Sequence, residues 1–463
     1  MKKEKGFTKI FRSPLVYLYI LTVIVWAVYS INSEFGRVYG DSGSYISWSF
    51  ENWSYFQNMQ RTPVYPAIIE IFEILLGDNF LYGVVILQII FSLASVYYLY
   101  SIVMLIASMK DNMRYKQIIA FVICLLYVVN PAVYVFQLAI LTESFALSFS
   151  IIFIFYAIRF LKNNTVRNGF LMLLWTFLCS MLKPAMVIYY IDVVILLVIM
   201  YIRNPESRIN IRKIGIGILS LAVLYTAYMY KVYQISGVFS MSSLGPRHDL
   251  VKIVDSGLYK NYHDENIIFE IDKIREETNY TKAYAMSTPV MKIIGNSGDF
   301  RTQNQKVLEF NSYCRRADPI GYFKYLISVC RDTMHVPFYD MEVYRGVIIR
   351  NGIIYYYIER VITPIFSVLN VAQAYTIGLI SLFIGLIQLI KNKDYLLLCL
   401  GSGIFSVLLS VTLGAYGEWN RSMVYVLPFV YVSIAALLID PKSGLKTGKG
   451  PQSELSAKPE QPL

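Results

Sequence analysis

Long apolar runs broken by short polar joints set the pattern of this chain. Runs near 14–31, 80–107, 117–136, 141–161, 169–182, 185–202, 213–233, 371–390, 395–413 and 423–440 match or approach the about 20 residues that cross a hydrocarbon core. They predict about ten transmembrane helices in an all-α polytopic membrane protein. The run at 63–76 is different. At helical rise it reaches only about 21 Å against about 30 Å of hydrocarbon, and it carries Glu70 and Glu73 on one face. It predicts a helix lying in the membrane interface. The run at 352–369 holds Glu359, Arg360 and Pro364. It reads either as a second interfacial helix or as a kinked extension of the next span.

The polar segment 234–350 is too long for a plain connection. Within it Ile267, Ile268, Ile271 and Ile274 recur at helical spacing. Asp318 and Pro319 stand as N-cap and first residue of another helix. A small, mainly helical extracytoplasmic cap is expected. The division that follows is an N-terminal transmembrane catalytic module 1–233, with a first outer loop at 32–79, then the cap 234–350. A C-terminal transmembrane module 351–440 and a disordered tail 441–463 complete the chain.

Composition fits this reading: 56 % of residues are apolar and only 16 % charged, where soluble domains carry about 25 % charged. A net charge of +11 would suggest nucleic acid in a soluble protein. Here Lys and Arg gather in the N-terminus, in alternate short joints and in the tail, the bias that orients a membrane protein with basic loops inside. Both termini are expected in the cytoplasm of a plasma-membrane protein. No nucleic-acid partner is expected. On the other face the short loops hold only Arg37, Arg61, Lys183 and Arg421.

That orientation brings distant polar residues to one outer face: Asp41 in "GDSGSY", Glu143 in "LTESF", Lys183 before Pro184, and Glu418 and Arg421 in "GEWNRS". Asp41 has a plainer reading as a helix N-cap. Glu143 has one as a first-turn carboxylate favoured by the helix dipole, and Lys183 and Arg421 have one as headgroup anchors. Against these, ionisable groups at membrane depth are costly and usually functional, and Asp41 keeps company with Arg61, Tyr45 and Tyr65. Asp192 lies mid-span and must find an interior partner; a structural hydrogen bond is expected. Cys124, Cys179 and Cys399 sit in apolar spans as small hydrophobes. Cys314 and Cys330 share the cap, where a disulfide is conceivable; the alternative is that Cys330 lies buried as a free thiol on the face of Phe323, Leu326 and Ile327.

The stretches "GDSGSYISW", "RTPVYPAIIEIF", "NPAVYVFQLAILTESFALSFSIIF", "LKPAMVIYY" and "EWNRSMVYVLPFVYV" resemble the GT-C superfamily of membrane glycosyltransferases. The closer likeness is to its bacterial branch, related to protein O-mannosyltransferases and the aminoarabinose transferase of lipid A. The resemblance covers about the first 200 residues and the last span. It implies a sugar donor on polyprenyl phosphate at the outer leaflet, inversion at the anomeric carbon, and Asp41 as catalytic base. Arg421, Lys183 and Arg61 become candidates for the donor phosphate, and Tyr45, Tyr65, Glu143 and Glu418 for substrate contacts. Several relatives pair two acidic residues in the first loop. Here Ser42 follows Asp41 and the next carboxylate is Glu51, so no cofactor is predicted, and a divalent metal stays open as an alternative. The acceptor, whether lipid, glycan or protein, does not carry over. A lipid-linked oligosaccharide polymerase or ligase is the nearest rival. A lipid or sugar flippase is the rival of another class, and it would need polar groups along a midplane path.

Overall fold

The computed structural model describes residues 13–31, 33–51, 56–109, 115–277, 283–295, 299–338, 356–392, 394–414 and 419–439. Among them the protein is all-helical, with one isolated β-bridge between Arg37 and Ala139. The N-terminal part comprises α1 (Pro14–Ser30), α2 (Gly40–Ile46), α3 (Val64–Leu76), α4 (Phe80–Ser108), α5 (Lys116–Val129) and α6 (Pro131–Leu138). It continues through α7 (Glu143–Asn163), α8 (Val166–Leu182), α9 (Tyr189–Arg203) and α10 (Arg208–Ser236). A polar unit follows: α11 (Gly245–Asp255), α12 (Glu265–Glu277), α13 (Ala283–Gly295), α14 (Phe300–Ala317) and α15 (Pro319–Thr333). The chain returns through α16 (Thr363–Asn392), α17 (Leu396–Gly414) and α18 (Leu427–Leu438).

Seven described helical stretches are long and apolar enough to cross a membrane, and the bent pair α5–α6 makes eight. Two shorter apolar helices, α1 and α8, have 17 residues each. The protein is therefore membrane-embedded. Its last helix is its centre. Nearly every residue of α18 is buried, packed on α5, α7, α16 and α17. By contrast α10 buries only Ile211, Ile214, Val232 and Ser236 and turns Ile216, Leu219 and Val223 outward, as a helix at the lipid boundary does. Between α16 and α17 small residues let two backbones meet: a Cβ on Gly385 would stand 2.3 Å from the Leu398 nitrogen.

Three readings of the apolar runs change in detail. The run at 63–76, expected as a helix in the interface, is a helix packed on α4. Gly77, at φ +55°, turns the chain so that α3 runs back along α4, with Phe72 and Leu76 over Gly83 and Tyr65 beside Gln88. The run at 117–136 is broken by 54° between α5 and α6. Asn130 caps the new helix at Ala132 N, 3.0 Å, and Pro131 opens it, a position where its missing N–H costs nothing. The described part of the run at 352–369, from residue 356 on, is an extension of α16: a π turn over Ile358–Ile362 leads directly into Thr363 and Pro364.

The polar unit has its own apolar cluster, built around Leu250, Ile253, Tyr259, Ile271, Val307 and Phe310. Asp318 caps α15 through Gly321 N at 2.8 Å, with Pro319 at the first position. Cys314 is buried in this cluster, and it and Cys330 are both free thiols, so the two do not form a disulfide. Nor is the Cys330 face buried: Phe323 and Ile327 are exposed.

Candidate functional site

Four chain segments, together with the joint ahead of α3 that carries Arg61, bring charge to one end of the bundle. The first is α2, whose opening turn carries Asp41. The loop before it is pinned to the chain just ahead of α7 by Gly36 N to Leu138 O and Ile140 N to Arg37 O, both 3.0 Å. Ser42 Oγ adds a bond to Ile140 O at 2.7 Å. The second is α7, which begins at Glu143. The third is the joint between α8 and α9. There Lys183 is held extended by the proline that follows it, and Pro184 opens a tight helical turn. The fourth is the pair of short turns Trp419–Ser422 and Met423–Val426 before α18, which carry Arg421 and Tyr425.

Asp41 is held from both sides. Arg61 Nη2 donates to Oδ1 at 2.6 Å, and Arg421 Nη2 donates to Oδ2. Burial works against the charge on Asp41, but the two guanidiniums outweigh it and hold the carboxyl well below the ordinary range. Arg61 is itself oriented by Ser44 Oγ at 2.7 Å and by the Tyr45 hydroxyl at 3.3 Å, with its guanidinium 4.6 Å over the Tyr45 ring.

Glu143, 1 % exposed, anchors the second half. Its Oε1 accepts from Lys183 Nζ at 3.0 Å and from the Tyr425 hydroxyl at 2.7 Å. Arg421 Nε is 3.1 Å away, close enough for charge attraction although the N–H is not aligned for a hydrogen bond. Lys183 also donates to Tyr425. Arg421 thus bridges two carboxylates, and the cluster sets three cations, Arg61, Lys183 and Arg421, against Asp41 and Glu143.

A cavity of about 360 Å³ opens on these cations. Arg61, Lys183, Arg421, Tyr45 and, from α11, His248 line it. Asp41 and Glu143 are not part of its wall; they stand behind the cations. Tyr65, expected to contact substrate, is fully buried. It packs edge-on to Tyr45 at 5.1 Å and bonds Gln88 Oε1 at 2.9 Å, and Gln88 in turn donates to the carbonyls of Gln137 and Ala139. Its role is to fix Tyr45. Glu418 lies outside the described residues. Asp192 has the expected interior partner, Ser406 Oγ at 2.9 Å.

Sequence reasoning missed His248, Gln60 and Ser242. All come from the polar unit or the loop it covers, and Ser242 Oγ to Gln60 O at 2.7 Å ties the two together. Burial and the nearby Lys252, Arg247 and Arg61 hold the His248 imidazole down at about 4, so it is neutral at physiological pH. The "GPRHDL" stretch marks a helix start, but no spacing in the chain links it to residue 61 or 421. Among the described residues no three His, Cys, Asp or Glu side chains converge, and no metal centre is assigned here.

No protein-family model, curated protein or solved structure matches the chain.

Proposed function

We propose that this membrane protein is a transferase working on a lipid-linked phosphate at one membrane face. More particularly, it is an inverting glycosyltransferase that moves a sugar from a polyprenyl-phosphate donor to an acceptor hydroxyl at the extracytoplasmic face, through a bundle of ten spans. The observation that carries the reading is the trio of cations, Arg61, Lys183 and Arg421, that a largely buried ion cluster presents to one cavity. A phosphodiester carries one negative charge and would be attracted by these cations. The bond to the sugar breaks with its electron pair on the phosphate, which gains a second negative charge. Once the donor is bound, the guanidiniums and the ammonium around its phosphate stabilise that change. Arg421 is suited to the phosphate because its planar fork can hold two oxygens at once.

The acceptor hydroxyl loses its proton as its oxygen attacks the anomeric carbon. Asp41 takes that proton in this reading. In the empty site it is a weak base, because Arg61 and Arg421 neutralise it. Donor phosphate draws both guanidiniums toward the cavity and restores basicity to Asp41 only once the donor is in place. One observation favours a second assignment of the base: His248 lines the cavity as a neutral imidazole, whereas Asp41 does not.

The placement of charge speaks for chemistry at one end over transport. Mid-bundle, Gln88 is bonded to backbone carbonyls and Asp192 to Ser406, so neither marks an open polar path. The test is purified protein in nanodiscs with a panel of labelled monosaccharide polyprenyl phosphates. Release of sugar that is lost in Asp41→Asn or His248→Gln supports the reading and names the base. Release by no donor in the panel, with the labelled lipid instead crossing the bilayer of proteoliposomes, overturns it in favour of a flippase.

A further inference from the structure

Helix α15 presents an apolar face that the polar unit leaves uncovered. Ile320 is 67 % exposed, Phe323 63 %, Ile327 55 % and Met334, at its C-cap, 46 %. At 3.6 residues per turn these four fall within an arc of about 60°, with Arg331 and Lys324 within about 40° beyond its edge. Both cations are exposed. The other side of the helix is engaged. Tyr322 donates to Asp249 at 3.2 Å and Tyr325 to Asp255 at 2.8 Å, both on α11, while Val329 and Thr333 are buried.

We infer that α15 lies in the membrane interface, with Ile320, Phe323, Ile327 and Met334 dipped among the acyl chains of the leaflet at the site end and Lys324 and Arg331 at the phosphate headgroups. Position supports a lipid occupant. Thr333 meets Thr412 of α17 at 3.4 Å, two residues from the end of that apolar helix, so α15 is anchored where the lipid-facing wall of the bundle ends. That wall continues beside it as Leu409 of α17 and Ile365 and Val368 of α16, all exposed. Charge supports it too: an apolar arc bordered by Lys and Arg is the pattern of helices that lie in an interface and meet anionic headgroups. Isolated exposed apolar residues are ordinary, but four in register on one helix mark a contact surface. Through Asp249 and Asp255 the same helix holds α11, so leaflet insertion fixes the height of His248 over the cavity.

The test is site-directed fluorescence in nanodiscs, on a Cys330→Ser background. Bimane is attached in Phe323→Cys, in Ile327→Cys and, as the water-facing control, in Asp332→Cys, which lies roughly 120° around the helix from Ile320. Lipid carrying a nitroxide near the headgroup should quench the first two probes at least twofold more than the third, and aqueous iodide should do the reverse. Equal iodide quenching at all three positions would place the face in water and overturn the inference. So would probes shielded from both quenchers at high protein density but exposed to iodide at one copy per disc, since a second copy would then cover the face. Neither result depends on the donor or on turnover.

Discussion

Asp41→Asn keeps the shape of the side chain and removes its charge, and the structure fixes what should follow. A donor phosphate held by Arg61 and Arg421 would stand roughly 6 Å from Asp41. At an effective dielectric of about 20, two negative charges at that distance repel by about 3 kcal/mol. Water reaching the 19 %-exposed side chain trims the effect toward about 1.4 kcal/mol, a tenfold change in Kd. The variant should therefore bind donor about tenfold more tightly while its turnover falls about 10²-fold or more, the loss typical of removing a general base. Breaking a buried ion pair costs about 3–5 kcal/mol when the partner charge is stranded. Glu143 still faces Arg421, so the fold should hold, and a thermal melt of the purified variant checks this. The assay is single-turnover release of labelled sugar in nanodiscs, with donor affinity from equilibrium binding. Tighter binding with unchanged turnover would remove Asp41 as the base and leave it as a counter-ion. Weaker binding would refute the electrostatic reasoning itself, and Asp41 would then serve to position the two arginines.

Other outcomes follow from the same cluster. Arg421→Lys should lower donor affinity and turnover together, because an ammonium cannot make the paired hydrogen bonds of a guanidinium; steady-state kinetics against varied donor would show no change if Arg421 only anchors headgroups. Glu143→Gln removes the negative charge that faces Lys183 and Arg421 and should cost about 3–5 kcal/mol of stability, read as a drop in melting temperature that excess donor partly restores. His248 is neutral in the empty site down to about 4, and a bound phosphate raises that value. The complex then holds more protons than the free site, so donor affinity should rise as pH falls from about 6.5 toward 4, with proton uptake visible by calorimetry in buffers of different ionisation enthalpy. Finally, an impermeant thiol reagent should label Lys260→Cys in intact cells and Arg203→Cys only after the membrane is opened; the reverse would invert the topology.

Much of the bundle can be read from the chain because span length and loop charge are local properties. Most of the apolar runs stand as helices at their expected places. The breaks were less visible: the bend at Asn130 needs only one proline at a permitted first position, and the π turn before Thr363 has no composition of its own. Within the site, Asp41, Glu143, Lys183 and Arg421 could be brought to one face by counting spans. Which carboxylate holds which cation could not, since that depends on side-chain reach across helices. The same limit hid His248, which arrives on a helix whose docking is set by Lys252 on the end of α17 and by Ser243 N on Met59 O. It also inverted the reading of α15, where the residues expected to fill a core instead face outward.

The bond between Asp41 and Arg421 joins residues 380 positions apart. Such a link also bears on how the chain is made. A ribosome delivers Asp41 and Glu143 to the bilayer early, and the guanidinium that bridges them emerges nearly 280 residues after Glu143, just ahead of α18. Until that span enters, Arg61 and Lys183 each hold one carboxylate, and the central slot that α18 fills is open to lipid or to a holding chaperone. Closing the ion cluster is then a late act of assembly. A chain cut short before residue 421 would carry an unfinished polar end in an apolar medium, which is the kind of defect that membrane proteases can sense. A partly built copy therefore lacks the guanidinium that bridges Asp41 and Glu143.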